Sequence, residues 1–383
     1  RKVPLNYRRS RADQARNLPF IGWLREGNKL AEVIEIDDHQ FLAPERICID
    51  AILDAERMGA ASFNFTAVEG IARYEGGWRV ELRNDAGETA RVSAPVALNA
   101  AGVWVDEINR MAAAGAPGAA PGRKIVGVKG VSFALRLPPE CEGYGIAGTT
   151  AEGDAIMCVP WGKLHYVGPT ETVYEGDIED VRPEPEDIAH LLEDVNRFLP
   201  GMGASRAQVL QAWAGVRPIT YDPARAKGRR MPFSVIHDLS AEGLPGMLAV
   251  TWAAIMFHRP TARALVEAVR AKIAPTRAPQ ALSFAGPARD PASPAFLESR
   301  PEVTRADIIR AAAQEGARDL VGALFRRTGL GWNASIPPQK VEEAAPLLAP
   351  ALGWDEEEIA RQSGAYLDYM RKYHLMNGQQ WNA

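Results

Sequence analysis

Three glycines in the run GYGIAG, residues 143–148, have the spacing of a loop that cradles the pyrophosphate of a dinucleotide. That chemistry requires a buried strand before the glycines and a helix N-terminus after them. The preceding run RLPPECE holds two prolines and two carboxylates, which excludes a buried strand. The following run TTAEGDAIMCVPW has a Gly-Asp turn signal ahead of apolar residues, as in a hairpin. We therefore predict a glycine-rich loop between strands at this position.

A second run, VALNAAG at 96–102, predicts a buried strand that ends in small residues. Ala101 and Gly102 would let the backbone come close to a flat ligand that carries phosphate, which bulky side chains would prevent. This strand end is therefore a candidate ligand contact.

The elements around this strand alternate between helix and strand. VIEID predicts a short strand, and the residues after Pro44 predict a helix that stops at Gly59. ASFNFTAVEGIARY, WRVELRN and ETARVSAPVALNAAG predict three strands, with a turn at 84–87. Residues 1–30 lack periodicity and predict an irregular arm or the end of a helix. A helix flanked by strands indicates a mixed α/β fold.

The middle and the end of the chain differ in their patterns. Residues 124–176 predict strands, and RPEPEDIAHLLEDVNRFLP predicts the clearest helix, because its apolar residues fall on one stripe. VLQAWAGVRPIT and GMLAVTWAAIMF predict strand segments, and RPTARALVEAVRAKI predicts a helix. The proline-rich residues 274–303 predict a linker. Three helical segments beyond it predict an all-α tail.

Composition excludes several classes of function. The 383 residues carry a net charge of −4 and no long basic run, so we do not expect nucleic-acid binding. Cys48, Cys141 and Cys158 are far apart, which favours buried thiols in a reducing compartment over a disulfide framework or a metal site. No apolar stretch approaches the ~20 residues of a membrane span. The expected location is cytoplasmic, and contact with a membrane surface stays open.

The run NAAGVWVDEIN at 99–109 resembles the NAAGPWVD signature of FAD-dependent glycerol-3-phosphate dehydrogenases, in the glycine/D-amino-acid oxidase superfamily. Further runs resemble that family in the same order: KIVGVKGVSFAL, PWGKLHYVGPTETVYEGD, RPEPEDIAHLLEDVNRFLP, QAWAGVRPI, ALFRRTGLGW and LGWDEEEIARQSGAYL. They span roughly residues 33–370, and their joint occurrence is far more specific than any single run. The helical tail separates the glycerol-phosphate branch from the simpler amino-acid oxidases.

The resemblance implies a reaction: oxidation of sn-glycerol 3-phosphate to dihydroxyacetone phosphate by hydride transfer from C2 to flavin N5. The electrons would pass on to a quinone or another acceptor. In such enzymes the flavin carries the redox chemistry, while the protein positions the substrate and supplies electrostatics. The implied cofactor-binding residues are Val68, Ala100, Ala101, Gly102, Trp104, Ala254 and Ile255.

The resemblance also implies substrate-binding residues. In the family the arginine of the GxRP motif, here Arg217, reaches the substrate and flavin, and its planar fork suits a phosphate or a developing alkoxide. The alternative is a structural arginine paired with a nearby acid; we favour the catalytic role. Lys129 and Thr170 are further substrate-binding candidates, with a solvated lysine and a satisfied turn threonine as their alternatives. We interpret His258 as structural.

Two departures from the family pattern bear on the cofactor. The opening strand–GxGxxG–helix segment of the family has no counterpart in residues 1–32. The family motif VxGGKxTTxR corresponds to VTWAAIMFHR, so Trp252, Ala253 and Ala254 stand where two glycines and a lysine are expected. A tryptophan where backbone approaches the flavin ring is a steric objection, and the missing lysine removes a positive charge.

Three hypotheses stay open. The chain is a fragment of a longer enzyme, consistent with its start at Arg1; or a divergent paralogue; or a non-catalytic binding or assembly subunit. A related oxidoreductase for another polyol phosphate or an amino acid is a further alternative, since Ser132 and Pro169 replace a histidine and a threonine of the family and alter its polar lining. Glu171 replaces an aspartate of the same motif.

The predicted architecture is an incomplete Rossmann-like FAD-binding part, an inserted antiparallel substrate-binding sheet and a helical domain. The boundaries are 1–109 with 241–273 for the FAD-binding part, 110–240 for the substrate-binding sheet, 274–303 for the linker and 304–383 for the helical domain. The Arg217 side chain is expected to face the cleft that Ala101 and Gly102 border.

Overall fold

The computed structural model describes residues 7–11, 13–25, 29–41, 43–150, 153–252, 254–278, 290, 292–332 and 336–375. The first part of the chain forms β1 (Tyr7–Arg11), β2 (Glu32–Ile36), α1 (Pro44–Arg57), β3 (Thr66–Tyr74), β4 (Gly77–Asn84), β5 (Thr89–Ala94), β6 (Ala97–Asn99) and α2 (Val105–Ala114). The middle forms β7 (Ile125–Leu135), β8 (Ile146–Thr149), β9 (Ala155–Trp161), β10 (Leu164–Gly168), β11 (Thr172–Val173), α3 (Pro185–Phe198), β12 (Gln211–Asp222) and β13 (Arg225–Arg229).

The remaining elements complete one sheet and form the tail. They are β14 (Val235–Asp238), β15 (Met247–Thr251), α4 (His258–Arg270), β16 (Ala295–Leu297), β17 (Arg300–Thr304), α5 (Arg305–Ala313), a π-helix (Gly322–Arg327), α6 (Pro338–Leu352) and α7 (Glu356–His374). The predicted mixed α/β fold is confirmed. Within the described ranges, no helix combines the length and apolar composition that crossing a bilayer requires.

An antiparallel sheet in the order β13-β12-β7-β10-β9-β8, with β11 also paired to β7, forms the centre of the molecule. Strands β12 and β7 pair over ten residues without a register shift, so successive side chains alternate strictly between the two faces. Helix α3 covers one face, with Ile188, Leu191 and Val195 buried against Val131 and Phe133. Its predicted apolar stripe is therefore the contact that holds it on the sheet.

A second sheet, in the order β14-β15-β6, is where the chain departs from the strand prediction. The run 88–102 is not one strand: β5 pairs with β4, whereas β6 pairs in parallel with β15. Pro95 separates them because proline has no N–H to continue the ladder. Leu98 on β6 is 44% exposed, so the prediction that this strand end is buried throughout is wrong. No described strand lies beyond β6 in this sheet.

Three other predictions need correction or refinement. Residues 7–11 are not irregular, since β1 pairs with β2; residues 1–6 lie outside the described ranges. The predicted linker contains the β16–β17 hairpin, while 279–289 lie outside the described residues. The first predicted tail helix is divided into α5 and the π-helix, because the backbone turns at Gly316 with φ +64°.

The glycine-rich run 143–148 follows its prediction. Gly143 has φ +77°, and β8 begins at Ile146 and pairs with β9 as a hairpin. No helix follows these glycines, so they do not form a dinucleotide loop.

The tail packs on the central sheet through buried polar and aromatic residues. The Gln211 side-chain amide donates to the Gly331 carbonyl (3.2 Å) and lies 3.2 Å from His374 Nδ1. Burial lowers the pKa of His374 to about 3, so this imidazole is neutral at pH 7. Trp213 of β12 contacts Trp332, with ring centroids 5.6 Å apart. These contacts fix the tail against the same sheet face that carries Arg217.

Candidate active site

The parallel pair β6–β15 brings two groups of predicted cofactor residues to one edge. Asn99, the last residue of β6, pairs with Ala249, two residues before the end of β15. Carboxyl ends of parallel strands meet at the same sheet edge, where open α/β folds bind their ligands. Ala100, Ala101 and Gly102 therefore leave β6 beside the segment of Ala254 and Ile255, which follows β15. Ala253 lies outside the described residues.

A cavity of about 900 Å³ opens beside the β6 end. Its lining includes Val68 of β3 and Ala101, Trp104 and Met111. A neighbouring cavity of about 600 Å³ shares Trp104 and continues to Ile125 and Val216 of the central sheet. Three of the predicted cofactor residues, Val68, Ala101 and Trp104, thus line one space.

The turn after β6 has the open backbone that its sequence predicts. Gly102 has φ +60°, a conformation that favours glycine, and no described atom would lie within 4 Å of a Cβ added there. A ligand could therefore lie directly against this backbone.

Asn99 holds this turn in place, and sequence analysis missed its role. Its side chain is buried; the amide donates to the Val105 carbonyl (2.8 Å) and to Asn109 Oδ1 (2.9 Å), and Oδ1 accepts from the Ala101 N–H (3.1 Å). One asparagine thus ties the Ala101–Gly102 turn to helix α2. A polar residue at the end of an otherwise apolar strand was the available signal.

Arg217 lies on the central sheet, on the face that also carries Trp213, Gly215 and Ile219 of β12; we call this the Arg217 face. Its Nη2 donates to the Thr170 carbonyl (2.7 Å), and its Nη1 lies 3.4 Å from Glu171 Oε1. Its Nε is buried and has no hydrogen-bond partner among the described residues. The guanidinium therefore has one donor that no described protein group satisfies.

The Arg217 side chain does not face the cavity that Ala101 borders, so the expectation that it would is wrong. Its neighbour Val216 lines the cavity that shares Trp104, and successive strand residues point to opposite faces. Arg217 is not among the residues that line the cavity bordered by Ala101. On the Val216 side of β12, the Thr220 hydroxyl lies 2.8 Å from the Thr251 hydroxyl of β15.

The other predicted substrate residues have protein partners. Lys129 Nζ pairs with Asp187 Oδ2 at 2.6 Å, at the start of α3, and is not simply solvated. The Thr170 hydroxyl accepts from the Val131 N–H at 2.9 Å, as a satisfied turn threonine does. His258 Nδ1 lies 2.7 Å from the Ile255 carbonyl oxygen, in keeping with a structural role.

Two aromatic groups bound the Arg217 face. Trp213 packs against Trp161 and Tyr166 at one end, with centroid distances of 4.9 and 5.9 Å. At the other end Trp252 packs against Val126 and Ile219. Between them, a Cβ added at Gly215 would have no described neighbour within 4 Å. The strand surface beside Arg217 is therefore open.

The backbone of Trp252 has a conformation that glycine usually supplies. Its φ is +53°; its indole packs on the sheet, and Nε1 donates to the carbonyl of Met231, in the segment after β13. A bulky residue in this region costs roughly 1–2 kcal/mol, which its packing on the sheet must offset. The substitution thus preserves the glycine-like turn and adds a ring to the Arg217 face.

The residues of this edge fit a dinucleotide cofactor such as FAD. An open glycine backbone, a cavity of about 900 Å³ and the carboxyl ends of a parallel strand pair lie together. Val68, Ala101, Gly102 and Trp104 would hold such a group.

Comparison with known proteins identifies the family of this chain. The family model described as FAD dependent oxidoreductase matches residues 9–258. A glycerol-3-phosphate dehydrogenase of Synechocystis sp. is 25% identical over 244 residues, covering 62% of this chain and 44% of that protein. A D-erythritol 1-phosphate dehydrogenase of Brucella abortus is 30% identical over 219 residues, covering 56% of this chain and 41% of that protein. These matches confirm the resemblance seen in the motifs.

The fold is also found in a solved structure. The glycerol-3-phosphate dehydrogenase of Bacillus halodurans, complexed with FAD, superposes with a TM-score of 0.72 at 18% identity, covering 95% of this chain and 79% of that chain. The chain spans less than half the length of the curated relatives named above.

Proposed function

Because the chain belongs to the family of FAD dependent oxidoreductases, we propose that it takes part in the FAD-dependent oxidation of a phosphorylated polyol. The first candidate substrate is sn-glycerol 3-phosphate, which would become dihydroxyacetone phosphate. Two similar relatives, named for glycerol 3-phosphate and D-erythritol 1-phosphate, support this substrate class. A quinone or another acceptor would take up the electrons, and contact with a membrane surface would fit that partner.

The partly buried guanidinium of Arg217 is the observation that carries the substrate proposal. It lies beside an open strand surface and keeps Nε unpaired. Arg217 would bind the phosphate, or the substrate oxygen on which negative charge develops, since a preorganised cation stabilises such charge in a site that excludes water. FAD, when bound, supplies the redox chemistry by accepting a hydride from the substrate carbon.

Residues of this chain would then orient FAD and the substrate. Asn99 fixes the turn that receives the cofactor. Thr170, through its carbonyl, holds the Arg217 side chain on the sheet. The aromatic group around Trp213 excludes water from one side of the Arg217 face. Lys129 is a positioning residue in this proposal, because its ammonium pairs with Asp187.

We expect the purified chain to bind FAD saturably, and an Ala101→Leu variant to bind it at least tenfold more weakly. The added side chain would enter the cavity that Val68 and Trp104 also line. Quenching of flavin fluorescence in an equilibrium titration measures both affinities. Equal binding by both proteins would contradict the placement of FAD. A colourless protein that takes up no FAD yet is stabilised against heat by sn-glycerol 3-phosphate would instead support a non-catalytic binding subunit.

A further inference from the structure

A carboxylate lies between two arginines on the Arg217 face. Glu171 Oε1 is 3.4 Å from Arg217 Nη1 and also pairs with Arg230 Nη2. The Glu171 side chain is 13% exposed, whereas those of Arg217 and Arg230 are 27% and 44% exposed. The Glu171 carboxylate is therefore the most buried of the three groups, and both guanidinium groups are partly exposed to solvent, where a ligand can reach them.

Arg217 and Arg230 have one carboxylate between them, whereas the neighbouring cations have their own. Lys227 pairs with Asp154 at 2.8 Å, and Arg225 lies 3.8 Å from Asp222. Glu171 is shared between Arg217 and Arg230, so one carboxylate faces two guanidinium groups. One positive charge stays uncompensated at these two arginines, which favours an anionic ligand.

Partial burial of the Arg217 and Arg230 guanidinium groups favours an anionic ligand beside them. It lowers the pKa of Arg217 and of Arg230, an effect that nearby Asp154 partly opposes. Arginine stays charged nonetheless, so both cations have lost part of their hydration without losing their charge. The unpaired Nε of Arg217 adds a donor without an acceptor.

Trp252 fixes the position of Arg230. Its indole N–H donates to the carbonyl of Met231, the next residue after Arg230, and its ring lies 5.8 Å below the Arg230 guanidinium carbon. The indole is itself anchored on Val126 and Ile219 of the sheet. Arg230 is thus held by the fold beside Glu171.

We propose that Arg217 and Arg230 together bind the phosphate of the substrate, and that Glu171 is an internal carboxylate that competes with it for both guanidinium groups. This inference rests on the proposed function and deepens it. A phosphate brings up to two negative charges and three acceptor oxygens, against one charge and two oxygens in a carboxylate. A phosphorylated substrate can therefore displace Glu171, whereas an uncharged polyol cannot. The site selects phosphorylated polyols.

Charge-matched variants test the role of Arg230. Arg230→Gln is expected to weaken binding of sn-glycerol 3-phosphate about tenfold or more, since hydrogen bonds to charged groups are the stronger ones. Arg229→Gln removes the same charge one residue away and is expected to change the affinity less than ~2-fold. Isothermal titration of the whole chain measures both, with glycerol as the uncharged reference ligand. Equal losses in the two variants would overturn the proposal.

Glu171→Gln tests the competition, because it keeps the shape of the side chain and removes its charge. We expect sn-glycerol 3-phosphate and inorganic phosphate to bind this variant ~3-fold more tightly than the unaltered chain. Weaker binding would mean that Glu171 only holds the arginines in place, and would overturn its role as a competitor.

The two proposals fail separately, because these titrations need no flavin. Phosphate binding that depends on Arg230 in a protein that takes up no FAD would sustain this inference and refute the proposed oxidoreductase. If sn-glycerol 3-phosphate reduced the bound flavin equally well in Arg230→Gln and Arg229→Gln, the proposed oxidoreductase would be supported and the role of Arg230 refuted.

Discussion

Replacing Arg217 by glutamine is expected to lower kcat/KM for sn-glycerol 3-phosphate oxidation by about 100-fold, or ~3 kcal/mol of transition-state stabilisation. The guanidinium is the partly buried cation beside the open surface over Gly215, and glutamine has neither its charge nor its fork. Initial rates with an artificial electron acceptor, measured on the flavin-loaded protein, give the ratio. We expect Arg217→Lys to recover part of the loss, because it restores the charge alone.

Arg225→Gln is the matched control, since Arg225 lies at the exposed turn between β12 and β13 and only approaches Asp222. It is expected to keep kcat/KM within ~2-fold. If Arg217→Gln lost no more activity than this control while its unfolding temperature fell, Arg217 would be a structural partner of Glu171 and the Thr170 carbonyl.

Asn99→Ala is expected to cost about 3 kcal/mol of unfolding free energy and to weaken FAD binding at least tenfold. The substitution leaves the Ala101 N–H, the Val105 carbonyl and Asn109 without their buried partner, and each such loss costs roughly 1–3 kcal/mol. The turn that borders the Ala101 cavity would then lose its tie to helix α2. Urea unfolding and FAD titration measure the two effects.

Asn196→Ala is the control that separates a local effect on FAD binding from a general loss of stability. The Asn196 side chain makes two hydrogen bonds, one fewer than that of Asn99: it donates to the Ala204 carbonyl (2.8 Å) and accepts from the Ala204 N–H (2.7 Å). Asn196 lies on α3, on the covered face of the central sheet. We expect it to reduce stability and leave FAD affinity unchanged. Similar losses of FAD affinity in both variants would show that Asn99 acts through stability alone.

Patterns local in sequence predicted most of the elements. Helix α3 follows from its apolar stripe and acidic start, and the hairpin after the GYGIAG run follows from its turn residues. The separation of β5 from β6 at Pro95 could have been predicted, because proline has no N–H to continue the hydrogen bonds between strands. That β6 then joins β15 in parallel depends on pairing across about 150 residues, which no local pattern carries.

The candidate site was predictable only where small residues or family motifs marked it. Ala101 and Val68 line one cavity, and Gly102 follows Ala101 in the turn after β6. Arg230 and Asn99 could not be recognised, because their roles come from partners distant in sequence: Glu171 and Trp252 for the arginine, and helix α2 for the asparagine. In the sequence, the size of Trp252 argued against cofactor binding. In the fold, its ring lies on the sheet and positions Arg230.

The most direct test of the account is the visible absorption spectrum of the purified, FAD-loaded chain before and after anaerobic addition of sn-glycerol 3-phosphate. The account predicts that the oxidised flavin bands bleach with this substrate and persist with glycerol. Bands that stay unchanged with sn-glycerol 3-phosphate and with D-erythritol 1-phosphate, in a chain that holds FAD, would contradict it.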